Sequence, residues 1–145
     1  MNNEQYTGFE TAFTGPATKL LEQLRAALVG RGYGPFTEIE KTDHDVDRGL
    51  EFRSIDDPSV YVELRLTDGE SYGFDGVGLI MECSTYICGQ VWAPGNFTED
   101  VGITSNEDLV SRLGECPIGE IAWMVTVEWD RIANKDLLEE NHAPR

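Results

Sequence analysis

Eight carboxylates, Asp68, Glu70, Asp75, Glu82, Glu99, Asp100, Glu107 and Asp108, fall in a stretch of 46 residues between Arg65 and Arg112 that holds no Lys or Arg. Side chains of one sign at that density can attract a basic partner, bind a cation, or supply acid and base groups. The stretch carries a formal charge of −8, half of the chain's −16. Such a field repels nucleic acid and anionic membrane and draws in basic macromolecules.

The other chemical constellations are incomplete. Asp43, Asp45 and Asp47 alternate around His44 as the first ligands of a calcium loop do, but Arg48 stands where the sharp turn needs Gly, and Ser54 where a bidentate Glu should close the shell. A hydrated acidic loop is the reading that fits. Cys83, Cys88 and Cys116 lack a fourth soft ligand for zinc unless His44 supplies it, and read as buried thiols. A nucleophilic triad would depend on His44, because His142 lies close to the end of the chain, and no Gly-x-Ser-x-Gly elbow is present. The glycines from Gly69 to Gly78 make no phosphate cradle. The carboxylate pairs Glu38/Glu40, Glu99/Asp100 and Glu139/Glu140 could cleave glycosides only beside an aromatic sugar platform, which no motif marks. With 11 basic against 27 acidic residues, direct nucleic-acid binding is disfavoured. No catalytic residue, metal or cofactor is therefore expected.

A protein-facing surface is what these residues suit. Trp92 and Phe97 bracket Ala93-Pro94-Gly95-Asn96, with Glu99 and Asp100 next and Glu107 and Asp108 opening a helix. Aromatics anchor interfaces, and carboxylates steer and pair with Arg or Lys. The expected partner-binding set is Trp92, Phe97, Glu99, Asp100, Glu107, Asp108, Glu70 and Asp75. The partner would be a basic protein, a nucleic-acid-binding enzyme or complex whose groove the chain occupies. By analogy of composition alone, immunity proteins against nuclease toxins and phage inhibitors of restriction or CRISPR machinery act in this way. Two alternatives compete. One is a ligand-binding or enzymatic domain with a pocket between sheet and first helix, lined by Tyr72, Phe74, Tyr86 and Trp123. The other is plain adaptation to high salt, which eight Arg against three Lys favours and sixteen Glu against eleven Asp does not.

The elements that would position these groups follow from periodicity. A chain of 145 residues with 40% apolar content suits one domain over residues 1–145 with a single core. Residues 1–14 read as an arm or short strand, and 141–145 as a frayed tail. Gly15-Pro16 reads as a helix start before Leu20, Leu21, Leu24, Ala27 and Leu28, with Gly30 and Gly32 ending it. Strands are expected at 36–41, around Leu50 and Phe52, at 60–67 and near 77–83 and 85–92, with turns at Asp56-Asp57-Pro58 and Asp68-Gly69. Ser105 should cap a short helix carrying Leu109, Val110 and Leu113. The alternation Ile121, Trp123, Val125, Val127, Trp129 reads as a central strand, and Asp130 as the cap of a last helix through about Glu140. The fold class is α+β: an antiparallel sheet of about five to six strands, with helices mainly on one face. No signal-peptide pattern and no bilayer-length apolar run is visible, and the cysteine usage suits reduced thiols, so a cytoplasmic setting is expected.

Overall fold

The computed structural model describes residues 3–43, 47–73, 75–84, 86–87 and 102–141. Helix α1 spans Asn3–Gly30. Tyr6, Phe13, Ala17, Leu20, Leu21, Leu24 and Leu28 recur every three or four residues along it and are all buried, each large side chain contributing about 1.5–3 kcal/mol relative to exposure. The expected arm is therefore the first half of this helix. Pro16 lies inside it and has no N–H to donate four residues back, but the apolar stripe runs straight through.

Strands β1 (Glu40–Asp43), β2 (Asp47–Arg53), β3 (Tyr61–Asp68) and β4 (Val77–Cys83) form an antiparallel meander in that order. Among the described residues these are four full strands, not five to six; Tyr86–Ile87 pair with β4 at the edge, opposite Cys83 and Glu82, and the rest of the strand expected near 85–92 lies outside the described residues. The register sets Leu50, Leu64 and Met81 in one row and Phe52, Val62 and Cys83 in the next. All six are buried beneath α1 and belong to one core. Phe36 forms only an isolated bridge to Ser54, so the first strand starts later than expected. Asp68-Gly69 does not make a tight hairpin. Asp68 instead caps a 3-10 turn, Gly69–Tyr72, by accepting the Glu70 N–H at 3.1 Å.

Helix α2 (Asn106–Gly114) begins as expected, with Ser105 accepting the Asp108 N–H at 3.1 Å and Leu109 and Leu113 buried. Residues 121–129 are not a strand. They belong to helix α3 (Ile118–Asn141), in which Ile121, Ala122, Val125, Thr126 and Trp129 are buried while Trp123 and Val127 are exposed. The buried set follows helical spacing, because α3 has one face on the core and one in solvent. Asp130 lies within this helix instead of capping one, and accepts the Tyr33 hydroxyl at 2.6 Å. Phe36 joins α3 to the sheet, its ring centroid 5.1 Å from Phe52 and 6.1 Å from Trp129. Among the described residues no helix is long and apolar enough to cross a membrane.

Candidate functional site

Two backbone hydrogen bonds bring distant parts of the acidic stretch together. Val77 and Ile103 each donate to the other's carbonyl at 2.8 Å, stitching the segment before α2 to the start of β4. Gly76 makes the approach possible. Its φ is +78°, and a Cβ there would collide with the Ile103 carbonyl. Beside this pairing lies an open groove of about 530 Å³. Glu70 enters it from the 3-10 turn, Asp75 from the following bend, Asn106 from the first residue of α2, and Phe9 from α1.

Glu107 and Asp108 follow in the first turn of α2, where negative charge complements the helix dipole. Asp108 is also 3.6 Å from Arg112, one turn on. Asp75 and Glu107 are exposed and make no ion pair among the described residues. Of the expected partner-binding set, Glu70 and Asp75 thus share one groove, with Glu107 and Asp108 next to its rim. Trp92, Phe97, Glu99 and Asp100 lie outside the described residues.

No family model matches the chain, and no curated protein or solved structure matches it.

A second carboxylate group emerges only with the register. Glu40, Glu51, Glu63 and Glu82 stand opposite one another across β1 to β4, on the sheet face away from α1. Like charges directly opposed destabilise a sheet unless compensated. Here arginines compensate Glu51, Glu63 and Glu82, while Glu40 at the sheet edge is exposed to solvent. Arg65 lies 3.3 Å from Glu63 and 3.0 Å from Glu82, and Arg53 lies 2.8 Å from Glu51. Glu63 is only 4% exposed. The hydrogen bond to Glu51 holds the Arg53 guanidinium above its usual range, and that guanidinium also covers the Tyr61 ring at 4.7 Å. Burial, with the Glu82 carboxylate beside it, pushes the Tyr61 phenol up. The sequence did hold a signal for this network: Glu51-Phe52-Arg53 and Glu63-Leu64-Arg65 each place a Glu and an Arg on the same strand face.

Nucleophilic chemistry finds no support at the described cysteines. Cys83 is buried in the core, and burial pushes the Cys116 thiol up to about 12, leaving it protonated and unreactive at neutral pH. Among the described residues no three His, Cys, Asp or Glu side chains are placed to hold a metal ion. The space between α1 and the sheet is filled by core side chains such as Leu21, Leu24, Leu64 and Met81. Trp123, considered above for a pocket there, stands 60% exposed on α3.

Proposed function

We propose that this chain is an acidic protein-binding module that antagonises a basic, nucleic-acid-handling partner by occupying its nucleic-acid groove. The reading rests on the contrast between the two carboxylate groups. Glu51, Glu63 and Glu82 of the sheet are tied to Arg53 and Arg65, whereas Asp75, which lines the groove with Glu70, and Glu107 next to it are exposed and form no ion pair among the described residues. Carboxylates left unpaired can replace phosphates against Arg and Lys of a partner. The −16 field would accelerate the encounter and favour cationic surfaces.

The test is capture of partners from host lysate on the immobilised chain, followed by elution with duplex DNA and with salt rising from about 50 mM to about 500 mM. The expected result is a basic protein that DNA displaces and that the triple variant Glu70→Lys, Asp75→Lys, Glu107→Lys no longer retains. A partner that DNA fails to displace, or that the triple variant binds equally well, overturns the reading.

A further inference from the structure

A second groove, of about 440 Å³, runs between α1 and the corner where α2 hands over to α3. That volume is within the range of small-molecule sites, roughly 300–1,000 Å³. Pro16 and Leu20 of α1 face Val110 and Leu113 of α2 across it, with Ile118 at the start of α3 closing one end. Most of these walls are apolar, with Gln23 adding a polar side chain; Val110 is exposed at the rim, whereas Leu20 and Leu113 are almost fully buried. Cys116 adds a wall that carries no charge at neutral pH.

Among the described residues Lys19 is the sole charged side chain lining this groove, and it forms no ion pair there. On a chain of net charge −16, most of whose described arginines are held by carboxylates, such a cation is uncommon. Two helical glycines keep the groove open. Gly15 and Gly114 both line it, and a Cβ built on either would meet nothing within 4 Å. Packing within the chain therefore does not require Gly at these positions, and Gly15, inside α1, lowers helix stability relative to Ala. Larger side chains would fill the groove.

We propose that this groove binds a small carboxylic acid with an apolar tail, its carboxylate on Lys19 and its chain between α1 and α2. The tail replaces water over Pro16, Val110 and Ile118, the lining apolar side chains that are at least partly exposed. The head group takes the one local positive charge, so a cationic or neutral amphiphile of equal length binds less well. This site uses other turns of α1 than the acidic groove and does not depend on the partner-binding reading.

The experiment is titration of the full ¹⁵N-labelled chain with hexanoate, heptanoate and octanoate, with octylammonium and 1-octanol as controls, in about 150 mM salt to screen the net charge. Amide shifts are expected within residues 15–23 and 110–118, with affinity rising about fourfold per methylene. Lys19→Glu should weaken octanoate about fivefold and leave octanol unchanged. Gly15→Leu should abolish binding with helix content intact; should that variant not fold, Gly114→Leu is the equivalent block. Equal affinity for octanoate and octylammonium, unchanged binding by a folded blocked variant, or shifts in these residues driven by protein concentration alone, as a second copy would cause, overturns the proposal.

Discussion

The Thr42 hydroxyl of β1 donates to the Glu63 carboxylate of β3, reaching over β2 at Gly49. Only a residue without a side chain lets it pass, since a Cβ at position 49 would strike Thr42 Oγ1 and crowd the Glu63 carboxylate. Gly49→Ala should destabilise the fold by about 1–3 kcal/mol, the penalty for disturbing a part-buried hydrogen bond to a charged group. Thr42→Val should cost about 1 kcal/mol. The double variant should cost less than the sum, because both break the same contact. Urea midpoints of the four proteins decide the matter; strict additivity would mean that the two residues act independently.

Tyr33 links stability to alkaline pH. Its hydrogen bond to Asp130, reinforced by burial, raises the phenol from 10.0 to about 12. The native state thus keeps this proton where the unfolded chain has lost it. The contribution is fully present below pH 10 and disappears as pH climbs towards 12. Thermal unfolding should show a smaller loss of stability across that window in Tyr33→Phe than in the wild type. The Tyr61 phenol, also raised, supplies a background common to both.

Helix α3 makes a prediction opposite to that of a strand over the same residues. Trp123 and Val125 would share a buried strand face, but on the helix Trp123 is 60% exposed and Val125 fully buried. Trp123→Lys should change stability by no more than about 0.5 kcal/mol. Val125→Lys should cost more than about 3 kcal/mol, because it buries an unpaired charge. Denaturant titrations with equal losses at the two positions would contradict the helix.

Self-repulsion should make stability depend on salt. The triple reversal at Glu70, Asp75 and Glu107 changes the formal charge by six, from −16 to −10. The melting temperature of the wild type should rise with salt between about 50 mM and about 500 mM as repulsion is screened, and the variant's rise should be smaller. Equal slopes would place the repulsion elsewhere.

Much of the sheet was legible because its strands have one buried face. Val62, Leu64 and Leu66 alternate with Glu63 and Arg65, and that pattern admits only a strand. Ser105, followed by two acidic residues, marked α2 through cap chemistry alone. Helix α3 was hidden because both of its candidate faces are apolar: Ile121, Val125 and Trp129 satisfy period two and also a helical repeat. Length was the better guide, since no Gly or Pro interrupts the chain from residue 120 to 143, far beyond an ordinary strand. The first half of α1 was masked by Gly15-Pro16, which punctuates locally, although Tyr6, Phe9 and Phe13 already carry the spacing that continues through Leu28. The acidic groove shows the limit of local reading. Glu70, Asp75 and the start of α2 were named from composition, but their proximity depends on the Val77–Ile103 pairing, which no short-range pattern encodes.

The arginine-tied glutamates of the sheet have a practical corollary. Charge pairs shielded by the protein respond weakly to ionic strength, whereas contacts at an open rim respond strongly. A cationic protein docked as proposed should therefore come off in brine while the sheet stays folded, and the chain recovered from such a wash should capture it again.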